Sequence, residues 1–240
     1  MEKFLEVLPS KQNLIEKALA VVMPKIKAAI QERDVCTIAL AGGSTPKPLY
    51  EALSQQNLPW SKIHIFWGDE RYVAATSPES NQKMAVEAWL SRVEFPTANL
   101  HPIPTGANNP EIDAKSYEDE LRRVFGVEQP RFDLILLGIG SDGHTASLFP
   151  HTDALEVRDR LVTVGSKDGR PRLTFTVSLI NHARCIIFLV AGADKRHALD
   201  QVLAASADAM TYPSRLIQPQ EGELWMLLDE AAGAEIRVAS

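Results

Sequence analysis

Five apolar runs without polar alternation constrain this chain most: residues 35–41, Ile63–Trp67, residues 132–137, Cys185–Val190 and residues 224–228. A strand with one wet face alternates polar and apolar residues, whereas an unbroken apolar run suits a strand covered on both faces. Segments of helical character stand between the runs. Ser10 caps a first helix with Leu14, Ala18, Val21 and Val22 on one face, and Pro24 is expected to kink or end it. Pro46 opens a second helix, residues 80–90 form a third, Pro110–Phe125 runs acidic then basic as the helix dipole favours, and residues 194–204 form a fifth. Shorter extended pieces are expected at 100–103, 161–164 and 173–177, with 68–71 as a polar loop. The alternation predicts an α/β fold: a mainly parallel sheet with helices on both faces. No linker, internal repeat or low-complexity tract interrupts it, so residues 1–240 read as a single domain.

Composition narrows the function classes. The chain has 240 residues, 45% of them hydrophobic and 23% charged, with a formal charge of −6. That balance excludes collagen-like, disordered and disulfide-scaffold classes. Mild acidity argues against nucleic acid or a membrane as partner, but not against a small anion met by a few local cations. The longest uncharged apolar stretch, residues 185–193, is about half of a membrane span. The first residues lack the cationic-then-apolar pattern of a signal peptide. Cys36 and Cys185 lie inside apolar runs, away from any metal-type spacing, and read as small buried hydrophobes of a reducing, cytoplasmic protein.

In a parallel sheet, ligands bind beyond the carboxyl ends of the strands, so the loops there carry the chemistry. The first is Gly42-Gly43-Ser44-Thr45-Pro46, whose glycines and hydroxyls suit a phosphate or carboxylate cradle. The same residues also suit a tight turn with a capping hydroxyl, and on spacing alone the two readings stand level. It lacks the Gly-Lys-Ser/Thr of a P-loop. The second is Gly68-Asp69-Glu70-Arg71, either an acid beside an anion-binding fork or a solvated ion pair. The third, Gly138-Ile139-Gly140-Ser141-Asp142-Gly143-His144, formally matches a dinucleotide fingerprint, but Pro150 stops the helix that such a motif needs. It offers instead a general base, His144, two residues from Asp142, which either orients it or shares the site. Arg172 and Lys195 are weaker candidates for anion binding. No cluster has convincing metal spacing, so no metal is expected.

These segments, with Ser80-Asn81, Pro171-Arg172-Leu-Thr-Phe-Thr, Gly192-Ala-Asp-Lys195 and Asp-Gly-His-Thr-Ala-Ser-Leu-Phe-Pro at 142–150, resemble the 6-phosphogluconolactonases in order and spacing. The resemblance covers residues 35–230, and the 142–150 segment is its most specific part. It departs at His151, where family members usually have Gly. It implies a Rossmann-like sandwich without nucleotide, no cofactor, and metal-independent hydrolysis of a small-molecule phosphosugar lactone, 6-phospho-D-glucono-1,5-lactone. It also implies His144 as the catalytic histidine, and Asp69 and Arg71 as substrate contacts. Gly43, Ser44 and Thr45 match the phosphate loop, Arg172 and Lys195 its further anion-binding positions, and Asn81 is expected to bind substrate. A monomer and a small homo-oligomer are both compatible with the chain. The nearest rival is a glucosamine-6-phosphate deaminase-like isomerase, which places a Glu shortly after the equivalent His. Here Ser147-Leu148-Phe149-Pro150 supplies no acid before Asp153. A non-catalytic phosphosugar sensor and a nicotinamide dehydrogenase are further alternatives.

Overall fold

The structure, a computed structural model, describes residues 1–236. The chain begins with β1 (Glu2–Leu8), α1 (Lys11–Arg33), β2 (Cys36–Leu40), α2 (Lys47–Leu53) and β3 (Ile63–Trp67). There follow β4 (Asp69–Arg71), α3 (Asn81–Ala85) with a π turn over Val86–Leu90, β5 (Leu100–His101), α4 (Pro110–Phe125) and β6 (Leu134–Leu137). The last third holds β7 (Val162–Lys167), β8 (Arg170–Phe175), α5 (Val177–Asn181), β9 (Cys185–Val190), α6 (Arg196–Leu203), β10 (Glu223–Asp229) and α7 (Glu230–Gly233).

Seven strands form the main sheet in the order β1-β10-β9-β6-β2-β3-β5, with every pairing parallel. Each residue of β2, β6 and β9 is buried, so both faces of the central strands are dry beneath helices, as their unbroken apolar runs predict. From the β2–β6 boundary the chain winds outward in two directions, through β3 and β5 on one side and β9 and β10 on the other. That reversal opens a crevice at the carboxyl ends of β2 and β6. Asp133 fixes the boundary from the opposite end: it accepts hydrogen bonds from Thr37 N at 2.9 Å and Thr37 Oγ1 at 3.0 Å.

Several elements differ from the sequence reading. Pro24 does not end α1, which continues to Arg33 because Ile26 and Ala29 extend the buried face of Leu14, Ala18 and Val22 past it. Strand β1 gives no apolar run, since it is a half-exposed edge strand in which Lys3 and Glu6 interrupt Phe4, Leu5 and Val7. The expected loop at 68–71 contains β4, and the expected strand at 173–177 stops at Phe175, after which Thr176 caps α5. Strands β4, β8 and β7 form a separate antiparallel sheet in that order. Buried Glu118 of α4 anchors it, accepting from the backbone N–H of Leu161 at 2.6 Å and Val162 at 3.1 Å.

Candidate active site

A cavity of about 360 Å³ opens over the β2–β6 crevice. The loop after β2 brings Gly43, Ser44 and Thr45 to it, and β4 and the start of α3 bring Asp69, Arg71 and Asn81. The loop after β6 brings Gly138, Gly140 and His144, β8 brings Arg172, and the segment after β9 brings Asp194 and Lys195. All the sequence candidates except Asp142 therefore line one hollow, and Asp142 contacts it through His144.

Each loop is held by its neighbours. The Tyr50 hydroxyl accepts from Ala41 N at 3.0 Å and donates to Ala41 O at 2.7 Å, while Lys11 Nζ donates to Ser44 O at 3.1 Å. In the third loop, Gly140 N donates to His144 O at 2.8 Å and Gly143 N to Gly140 O at 2.9 Å, closing a tight turn. A side chain at Gly140 has no room, because its Cβ would lie 2.0 Å from His144 Nδ1. That nitrogen meets Asp142 Oδ1, which also accepts from His144 N at 3.2 Å. Partial burial raises the Asp142 carboxyl, but the hydrogen bond and charge of His144, with a smaller pull from Lys167, outweigh it and hold the group well below the carboxylate range. His144 Nε2 has no hydrogen-bond partner among the described residues.

Three cationic side chains, Arg71, Arg172 and Lys195, line the cavity. Arg71 Nη1 donates to Glu79 O and Asn81 Oδ1, both at 2.7 Å, so this guanidinium is fixed in place. Arg172 stands opposite it in the β4–β8 register, its Nε buried without a partner among the described residues. Burial and, to a smaller extent, the nearby Arg71 charge lower the Arg172 pKa, and the charges of Asp69, Glu79 and Glu70 only partly offset them. Lys195 Nζ rests 3.0 Å from Asp194 Oδ2.

A family model described as Glucosamine-6-phosphate isomerases/6-phosphogluconolactonase matches residues 9–226. The chain belongs to this family. It is 62% identical over 235 residues to the 6-phosphogluconolactonase of Synechocystis sp., with 97% of this chain and 98% of that protein covered. It is 58% identical over 241 residues to that of Nostoc sp., covering 99% and 100%. The solved structure of 6-phosphogluconolactonase from Trypanosoma brucei superposes with a TM-score of 0.89 at 30% identity, covering 98% of this chain and 99% of that one. These relatives support 6-phosphogluconolactonase activity within the isomerase/lactonase family.

Within that family frame, four residues take places that the motifs did not give. Glu70 does not line the cavity; it is 3% exposed and its carboxylate is fully engaged. Oε1 accepts from Arg71 N and Asn81 N, each at 2.8 Å, and Oε2 accepts from Gln82 N at 2.8 Å and Ser80 Oγ at 3.0 Å. Burial raises its pKa, while those backbone donors oppose the rise. Ser147 holds Asp69 by donating from Oγ to Oδ2 at 2.6 Å. Asp194, a direct neighbour of Lys195 in sequence, enters the cavity as its ion-pair partner. His151 has φ of 56°, the left-handed backbone that glycine adopts freely, so the Gly that the resemblance leads one to expect there would fit without strain. Its N donates to Met210 O at 3.0 Å and its Nε2 lies 3.2 Å from Thr211 Oγ1. Among the described residues, no group of three or more His, Cys, Asp or Glu is placed to hold a metal ion. No helix among them is long and apolar enough to cross a membrane.

Proposed function

We propose that the enzyme hydrolyses 6-phospho-D-glucono-1,5-lactone to 6-phospho-D-gluconate, in the oxidative pentose phosphate pathway, with His144 as general base on water. The observation that carries this reading is the state of the His144 ring, engaged by Asp142 through Nδ1 and, among the described residues, unpartnered at Nε2 beside the cavity. An ionised Asp142 keeps the proton on Nδ1, which leaves Nε2 as the acceptor. Water gives its proton to Nε2 as its oxygen attacks C1. The bond from C1 to the ring oxygen then breaks, and the proton passes from Nε2 to that oxygen. A base so placed contributes about 10²–10⁴-fold in rate.

The remaining residues bind and orient. Arg71 directs its free N–H groups at the charge developing on the lactone carbonyl oxygen. Asp69 and Asn81 receive sugar hydroxyls. Gly43, Ser44, Thr45, Arg172 and Lys195 hold the phosphate, whose binding energy fixes the distant reacting carbon. Two free, buried cysteines, Cys36 and Cys185, accord with a cytoplasmic enzyme.

Lactone made in situ from glucose 6-phosphate should disappear well above its spontaneous rate with the wild-type protein, and close to that rate with His144→Ala. Near-normal turnover by His144→Ala would remove the base from His144. The isomerase branch is disfavoured by the missing acid in Ser147-Leu148-Phe149-Pro150. Release of ammonia from glucosamine 6-phosphate by the pure protein would reverse that choice.

A further inference from the structure

Lys167 ends β7, at the hairpin that leads into β8. Its ammonium lies 4.0 Å from Asp142 Oδ2 and 5.3 Å from the centre of the Phe149 ring. The same ring, only 5% exposed, carries the His144 imidazole at 4.6 Å and the Arg172 guanidinium at 5.4 Å. One aromatic side chain thus seats the base, an anion-binding arginine and a lysine. Arg172 lines the 360 Å³ cavity and Lys167 does not. Among the described residues Asp142 is the one acid within ion-pair distance of Lys167.

We propose that Lys167 is a positioning residue for His144, acting through Asp142; the inference rests on the reading of His144 as the base. The two Asp142 oxygens have separate duties. Oδ1 faces His144 Nδ1 and backbone N, while Oδ2 faces Lys167. The lysine charge favours the carboxylate orientation that turns Oδ2 toward it, so Oδ1 stays on Nδ1 and Nε2 stays aimed at the cavity. The lysine charge also draws on the carboxylate, which makes Asp142 a weaker stabiliser of the imidazolium than it would be alone. The other charged groups about the pair are Arg172 over the same Phe149, Asp168 and Arg170 at the hairpin with Glu79 beside them, Asp69 and Arg71 from β4, and Asp194 and Lys195 across the cavity. All of them remain when Lys167 is replaced.

The test compares Lys167→Met and Lys167→Arg with wild type and His144→Ala, measuring lactone hydrolysis against pH. Lys167 is 40% exposed, so the methionine variant should keep the wild-type melting temperature. Its kcat should fall about 3- to 5-fold with KM near wild type, and the acid limb of its pH profile should rise by about half a unit. Lys167→Arg should restore both. The proton NMR signal of the His144 Nδ1–H should broaden through faster exchange in Lys167→Met and sharpen again in Lys167→Arg. A raised KM with unchanged kcat and pH profile would make Lys167 a substrate contact and overturn the proposal, as would a methionine variant identical to wild type. An inactive His144→Ala beside an unaltered Lys167→Met profile and NMR signal removes Lys167 alone. An active His144→Ala removes the base and this proposal with it.

Discussion

Asp69 and Glu70 are adjacent in sequence and opposite in fate. Side chains alternate along a strand, so β4 sends Asp69 into the cavity and turns Glu70 toward the start of α3. The segment Gly-Asp-Glu-Arg reads as a loop because three polar residues show no periodicity, and without a strand there is no alternation to separate the two acids. His144 and Asp142 are legible because their spacing alone fixes their proximity on a tight glycine turn. Ser147 is not legible as a site residue, since its partner Asp69 is 78 positions away. That hydrogen bond makes the first prediction. Ser147→Ala leaves a buried carboxylate oxygen without its donor, which should cost about 1–3 kcal/mol of stability and lower kcat as Asp69 shifts. Urea unfolding with the lactone assay checks it; unchanged values in both would mean that Asn81 alone holds Asp69. Glu70→Gln sets an amide N–H₂ against backbone donors, and about 1–3 kcal/mol should again be lost. Its kinetic mark should be a raised KM, because Arg71 and Asn81 both hang on Glu70, and a KM equal to wild type would contradict that link.

At the scale of elements, the strands most readable in sequence are those dry on both faces. Residues 35–41, Ile63–Trp67 and Cys185–Val190 announce β2, β3 and β9 because burial forces an apolar side chain at nearly every position. The small sheet has no such constraint. Its strands carry Gly165, Lys167, Arg170 and Pro171, the Asp168-Gly169 turn with positive φ at both residues sets the β7–β8 register, and β7 lies in contact with the loop that bears His144. Gly165 shows how close that contact is: a Cβ there would lie 2.3 Å from Ser147 O. Gly165→Ala must therefore push the β7–β8 hairpin off the loop that bears His144. Overpacking of this kind costs about 1–3 kcal/mol, and here it should also weaken the Ser147–Asp69 bond and displace Arg172. The expected result is a lower melting temperature together with reduced kcat/KM. Retention of full activity at a lowered melting temperature would show that the hairpin steadies the fold without positioning the site.

Across the whole molecule, a body of formal charge −6 surrounds a cleft containing Arg71, Arg172 and Lys195, so mean charge says little about what a phosphosugar meets. A polar chain outside that cleft, at the β3–β5 edge, ties stability to pH. His64 Nδ1 is 2.9 Å from His101 Nε2, His101 Nδ1 is 2.7 Å from Glu120 Oε1, and Arg123 grips Glu120 through two hydrogen bonds of 2.7 Å. Burial holds both imidazoles below their ordinary pKa; for His64 the facing His101 adds to this, and for His101 the Glu120 hydrogen bond only partly offsets it. The Arg123 hydrogen bond chiefly holds Glu120 below its ordinary value, against some burial. For the histidines the sign is fixed: below about pH 6.5 the unfolded chain takes up protons that the folded chain resists, so stability is lost as the pH falls. Glu120 acts in the same direction at lower pH, since its folded carboxylate resists protonation while the unfolded one accepts it. The melting temperature of the wild type should therefore decline from pH 8 toward pH 5, and a His64→Leu/His101→Leu double variant should show a shallower decline across the same span, with Glu120 still paired to Arg123. Equal slopes for the two proteins would place the acid sensitivity elsewhere. Activity measured in parallel separates acid effects on the site from those on the fold, because any loss of turnover at temperatures where the fold is still intact should be reversed when the pH is restored.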